Sequence, residues 1–180
     1  MSRSPLSSEW MEDCDSLLDE YLALRESCEG ALLATLDGTS IPAASYAPIA
    51  WLDGQAYLFL SELAEHTQNL QRCPAISLLL LDAVDRGGNA FARRRISLTG
   101  EAQPVARDDA RFGAALGEFK RRFGDVVDLL ESLPDFHLFA LRLSGGRYIR
   151  GFGQAYELSG EGLDRLQHVH PVKRDPGKPA

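Results

Sequence analysis

Two Asp-Gly pairs, Asp37-Gly38 and Asp53-Gly54, punctuate three apolar runs early in the chain: ALLATL, SIPAASYAPIAWL and QAYLFLS. Asp-Gly is favoured where a hairpin needs two successive residues with positive φ. The runs between such turns are short and rich in apolar and β-branched or aromatic residues, which is strand chemistry. The spacing therefore predicts an antiparallel meander. Pro42 and Pro48 place edge positions or bulges in its second strand.

The rest of the chain alternates between the two periods. SSEWMEDCDSLLDEYLALRESCEG repeats Trp10, Cys14, Leu17, Leu18, Tyr21 and Leu24 at helical spacing, which predicts an N-terminal helix. ELAEHTQNLQRC puts Leu63, His66, Thr67 and Leu70 on one helical face and ends at Pro74. AISLLLLD reads as a buried strand and ARRRISLTGEAQPV as an alternating one. A helical stretch from Arg107 to Leu133 breaks near Gly124. FHLFALRLS alternates again, Gly145-Gly146 is read as a two-residue turn into RYIRGFGQAYEL, and EGLDRLQHV as a last short helix. The sum is a mainly β protein with helices, in which six to seven mostly antiparallel strands close a small barrel.

Composition narrows the function classes. The 180 residues suit one domain with a core of its own, and the net charge of -7 argues against a general nucleic-acid binder. The longest apolar run, AISLLLL, is too short to span a membrane, and the acidic start of the chain lacks the apolar stretch of a signal peptide. Three cysteines, Cys14, Cys28 and Cys73, have no CxxC spacing and suit a reducing, cytoplasmic setting.

No G-x-S-x-G, H-E-x-x-H or dinucleotide fingerprint occurs. The glycines of Gly151-Phe152-Gly153 are read as a bend in a strand. Two features remain. Three consecutive arginines open a strand in an acidic chain, and alternation sets Arg93 and Arg95 on one face against Arg94 on the other. A paired guanidinium face suits a phosphate or carboxylate, or else guards a sheet edge. Ser61 stands where a strand gives way to a helix, as an anion site or a plain cap. Two of the four histidines, His168 and His170, lie in the C-terminal stretch.

Together YLFLSELAEHTQNLQRCPAISLLLLD, FARRRISLTGEAQPV and GGRYIRGFGQAYEL resemble the HugZ/HutZ-type haem-utilisation branch of the pyridoxamine-phosphate-oxidase-like, FMN-binding split-barrel superfamily. The resemblance runs from about Ser8 to Leu158. It implies a homodimer of split barrels spanning 1–167, with ligand sites between subunits and 168–180 as a tail able to close over haem. It implies haem b as both substrate and cofactor, opened with oxygen and an electron donor for iron acquisition. An axial histidine comes from the C-terminal segment, His170 in preference to His168. Asp135 matches an acidic group behind that ligand, Arg93 and Arg95 answer propionates or bound oxygen species, and His66 matches a family histidine of the helix after the third strand. His137 is read as structural. FMN, held through Arg93, Arg95 and Ser61, is the alternative cofactor, and a haem carrier without chemistry is the third reading.

Overall fold

A computed structural model describes residues 6–83 and 90–169, and no helix among them is long and apolar enough to cross a membrane. The order is α1 (Leu6–Ser27), β1 (Gly30–Leu36), β2 (Pro42–Leu52), β3 (Gln55–Ser61), α2 (Glu65–Arg72), β4 (Ala75–Leu81) and β5 (Arg95–Val105). Then follow α3 (Ala110–Phe123), α4 (Val126–Ser132), β6 (Phe136–Gly151), β7 (Gln154–Ser159) and β8 (Arg165–His168).

The strands lie in the order β3-β2-β1-β4-β5-β6-β7-β8, every neighbouring pair antiparallel, and β3 also pairs with β6. That last pairing closes six strands into a barrel, and β7 and β8 extend the sheet outward from β6. The mainly β split-barrel expectation holds, with eight strands among the described residues, six of them closing the barrel.

The predicted meander is there, but its two Asp-Gly pairs behave differently. Asp53 and Gly54 have φ of 51° and 79°, as a tight two-residue turn between right-twisted strands requires. Asp37 instead opens a wider loop. Its carboxylate accepts from the amides of Thr39 and Ile41 at 2.7 and 2.8 Å, and these bonds hold it below the usual carboxylate range.

Two other expectations are corrected. Gly145 and Gly146 lie inside β6, paired with Thr99 and Leu98, and the turn falls at Phe152-Gly153, where Gly153 has φ +72°. The stretch read as a final helix is β8, whose residues 165–168 pair with β7. Its apolar and polar residues alternate as Leu166 and His168 against Arg165 and Gln167, and a partner strand lies beside it.

The core has two compartments. Tyr21, Leu33, Ile49, Leu58, Leu78, Leu80, Ile96, Leu98 and Tyr148 fill the barrel under α1. Outside it, Phe112, Ala115, Leu116 and Phe119 recur along α3 at helical spacing and pack on Phe59 and Leu138. β3 is buried on both faces for this reason, and so reads as an unbroken apolar run. Gly124, at φ +75°, ends α3 and separates it from α4.

Candidate functional site

The three arginines mark one end of the sheet. Arg95 pairs with Leu81 and Ile149, Ile149 pairs with Ala155, and the Val169 amide donates to the Ala155 carbonyl at 2.7 Å. Arg93 and Arg94 precede β5, which opens at Arg95 and not at the first arginine, and Arg94 binds Asp82 Oδ2 at 2.6 Å and Glu20 Oε1 at 3.2 Å. Glu20 also accepts from the Tyr148 hydroxyl at 3.1 Å and pairs with Arg150 at 2.8 Å, which ties α1 to the barrel. Burial beside Glu20 pushes the Tyr148 phenol well above its ordinary value.

Arg93 and Arg95 are different. Arg93 donates to the Asp82 carbonyl and Arg95 to the Arg93 carbonyl, both at 2.9 Å, and neither pairs with a carboxylate among the described residues. Phe152, 80% exposed, projects from the β6–β7 turn at this same end. The described chain stops here at Val169. His168 ends β8, with its ring edge-on to Tyr156 at 5.2 Å. His170 lies outside the described residues.

The second group of predicted residues sits at the opposite end of β6. Ser61 pairs with Phe136, whereas Arg95 pairs with Ile149, some 40 Å further along the strand at about 3.3 Å per residue. Ser61 Oγ donates to Asp135 Oδ2 at 2.8 Å and accepts from the Leu63 amide at 3.1 Å. It is not the helix cap: the N-cap position of α2 is Ala64, which has no side-chain hydrogen bond. His137 Nε2 meets Glu62 Oε1 at 2.5 Å.

His66 Nδ1 lies 2.9 Å from Ser45 Oγ, half-buried, and burial holds its pKa below the ordinary imidazole value. An unfolded chain thus takes up a proton near pH 6.5 that folded His66 resists. Stability is expected to fall as pH drops through 6.5 toward the folded value, and His66→Gln should flatten that part of a urea-midpoint against pH curve. Parallel curves for the two proteins would refute it.

Between the two ends lies a cleft of about 830 Å³, bordered by Leu36, Pro42, Ile76 and Leu143, with Glu101 and Arg142 paired across its wall. Its volume lies within the span of ligand pockets, roughly 300–1,000 Å³. Gly100 forms part of this wall beside a β-bulge at Thr99/Gly100. Neither Gly100 nor Arg142 was singled out from the sequence. A glycine interrupting RISLTGEAQPV was the available signal, because glycine within a strand marks close backbone approach.

A phosphate at Ser61 would share its hydroxyl with the Asp135 carboxylate. The cleft has apolar borders and Arg142, with Thr35, Ser77, Thr99, Glu101 and Ser144 also in its lining, and Arg93 and Arg95 pair with no carboxylate among the described residues. Apolar surface near guanidinium groups is what a flat apolar molecule bearing carboxylates, such as haem, calls for.

Residues 17–150 match the family model described as pyridoxamine 5'-phosphate oxidase. The chain belongs to that family. Within the pyridoxamine 5'-phosphate oxidase family it is similar to the heme oxygenase HutZ of Vibrio cholerae, 32% identical over 155 residues, covering 86% of this chain and 88% of HutZ. Among solved structures, the Vibrio cholerae HutZ described as a heme storage protein has a TM-score of 0.64 at 30% identity, covering 68% of this chain and 87% of that one. Campylobacter jejuni ChuZ has a TM-score of 0.77 at 27% identity, and a heme binding protein from Mycobacterium smegmatis 0.72 at 25%. These two matches cover 86% and 82% of this chain, but only 63% and 59% of those longer chains. The family and its haem-utilisation relatives agree with the resemblance drawn from the sequence.

Proposed function

We propose that this protein is a cytoplasmic haem-degrading enzyme of iron acquisition that works as a homodimer. The observation that carries the proposal is the cleft bordered by Leu36, Pro42, Ile76 and Leu143 and edged by Arg142, set beside relatives described as heme oxygenase, heme storage and heme binding proteins.

What one chain leaves apart supports the dimer. Arg93 and Arg95 stand at one end of β6, Ser61, His66 and Asp135 at the other, with the cleft between. The outer face of β1 and β2 is uncovered and apolar: Leu32 and Tyr46 are cross-strand neighbours, 43% and 59% exposed. A second copy packed on this face about a two-fold axis would bury it and border the cleft, whose lining includes Ala34, Leu36 and Pro42 of the same two strands.

Haem, as substrate, supplies an iron that binds oxygen once reduced by an external electron donor. The chain's own residues position and polarise. His170 would hold the haem iron as a neutral imidazole, which requires its second ring N–H to have an acceptor. Asp135 would be that acceptor or hold a nearby water. Its carboxylate is kept in place by Ser61 Oγ and by its backbone carbonyl, which accepts from the Glu62 amide at 2.8 Å. Arg93 and Arg95 would pair with propionates or stabilise negative charge that develops at the site.

A carrier is the second reading, favoured by the description of Vibrio cholerae HutZ as a storage protein and by the separation of Arg95 from Asp135 within a chain. Haemin titration followed by ascorbate in air, with catalase present, decides between them. A Soret band that forms and then decays is expected. A band that forms and persists assigns the carrier role, and no band at all overturns haem binding.

A further inference from the structure

Four rings stand in a row from α1 to the edge of the sheet. Centroid to centroid, Tyr21 of α1 lies 5.8 Å from Tyr148 of β6, Tyr148 lies 6.2 Å from Tyr156 of β7, and Tyr156 lies 5.2 Å from His168 of β8. The sheet register sets this spacing. Tyr148 pairs with Tyr156 and Tyr156 with His168, so the three strand residues share one face. Each separation falls within the roughly 4.5–7 Å of aromatic rings in contact. The row runs from Tyr21 and Tyr148, both fully buried, to the half-buried Tyr156 and His168 at the arginine end.

Packing alone asks only for apolar rings here, and a buried hydroxyl is a cost unless it is hydrogen-bonded. The Tyr148 hydroxyl donates to Glu20 Oε1 at 3.1 Å, and Arg94 and Arg150 fix the same carboxylate at 3.2 and 2.8 Å. Burial keeps the Tyr148 phenol from ionising beforehand, so an electron leaves it only if the proton leaves as well. An oxidised phenol is a strong acid, and Glu20 is a base within hydrogen-bond reach. The Tyr21 hydroxyl instead meets the Arg25 guanidinium, which has no lone pair to take a proton.

We propose that Tyr148 is a one-electron donor, which a peroxide-derived oxidant at the arginine end reaches through Tyr156 and His168. In the step, the oxidant gains one electron. Tyr148 loses that electron together with its hydroxyl proton and becomes a neutral phenoxyl radical, and Glu20 takes the proton and becomes a carboxylic acid. A reductant such as ascorbate returns the electron, and Glu20 returns the proton. Rings in contact pass an electron far faster than the same length of saturated chain. The donor keeps one electron at hand for a reaction that takes up electrons singly, and burial shields the radical from solvent. The source of the oxidant rests on the haem reading, because haem, oxygen and a reductant together generate peroxide. The donor itself rests on the row and the carboxylate.

The full chain is loaded with haemin, treated with hydrogen peroxide, frozen and read by electron paramagnetic resonance. In parallel, the ligand-free chain is oxidised by light with ruthenium tris-bipyridine and persulfate. A persistent tyrosyl signal is expected in both, narrowed when the protein is grown on ring-deuterated tyrosine. Tyr148→Phe should remove it, whereas Tyr46→Phe, on the exposed outer face, should leave it. Glu20→Gln keeps a hydrogen-bond acceptor but no base, and should also remove it. Far-ultraviolet circular dichroism checks the fold. Where either variant fails to fold, Tyr156→Phe breaks the row at a half-buried ring and should diminish the signal in the haemin sample. No tyrosyl signal in the ligand-free sample, or one that survives Tyr148→Phe or Glu20→Gln, overturns the proposal, as does a haemin signal undiminished by Tyr156→Phe. A signal from light alone, with haemin bound but silent, overturns the path from the arginine end. Failure of haemin to form a Soret band overturns the haem reading instead, and the ligand-free sample then decides for Tyr148.

Discussion

Gly100→Ala is expected to lower the stability of the protein by about 3 kcal/mol, at the upper end of what overpacking usually costs. A Cβ at this position would overlap the Arg142 carbonyl oxygen, and it would come within 2.8 Å of the Leu143 Cα. Both obstacles are backbone, so no rotamer change relieves them. The β5–β6 seam would have to open beside its bulge, where the two strands pair along most of their length. A lowered urea midpoint measures the effect. Gly117→Ala is the control: it lies exposed in α3 with nothing within 4 Å of a Cβ. There alanine should stabilise by about 0.5–1 kcal/mol through helix propensity and a less flexible unfolded chain. Equal midpoints for the two variants would refute the account.

His170→Ala is expected to weaken haem binding by about 100-fold and to move the Soret band, because an axial imidazole carries more affinity than the groups behind it, whose loss costs roughly 10–100-fold. His137→Ala should leave the haem spectrum unchanged, since that ring is engaged by Glu62. Arg95→Ala should lower affinity or the rate of Soret loss without moving the band, the mark of a group that meets the ligand's edge and not its iron. The absorbance titration separates these outcomes. Identical spectra and affinity for His170→Ala and the unaltered protein would reject the ligand assignment.

Much of the barrel was legible because its signals are local. Asp53-Gly54 turned the chain where expected, and the α3 stripe of Phe112, Ala115, Leu116 and Phe119 showed its period. The errors came where a local signal was overridden by pairing. Gly145-Gly146 has the composition of a turn, yet β5 and β7 flank it, and at Gly146 the backbone of Ser97 comes too close for any Cβ. The stretch that became β8 has too few residues for its period to settle helix against strand, and the free edge of β7 decided it. At the candidate site the sequence marked residue types without marking neighbours. Alternation was read across all three arginines, but β5 begins at Arg95, so Arg93 and Arg94 precede the strand, and Glu20 and Asp82 engage Arg94. The partnership of Ser61 with Asp135 is a long-range contact that no periodicity records.

The seam that closes the barrel carries a consequence for how the chain is made. β3 pairs with β6, segments more than about 70 residues apart, and such non-local pairings slow folding because the intervening loop must first be closed. While a ribosome is still producing α3 and α4, β3 has only β2 beside it. Its apolar segment AYLFL then presents a bare backbone edge and no helix cover. That interval is when the nascent chain is most open to strand pairing with its neighbours on a polysome, and when a chaperone that shields extended apolar segments would raise its yield.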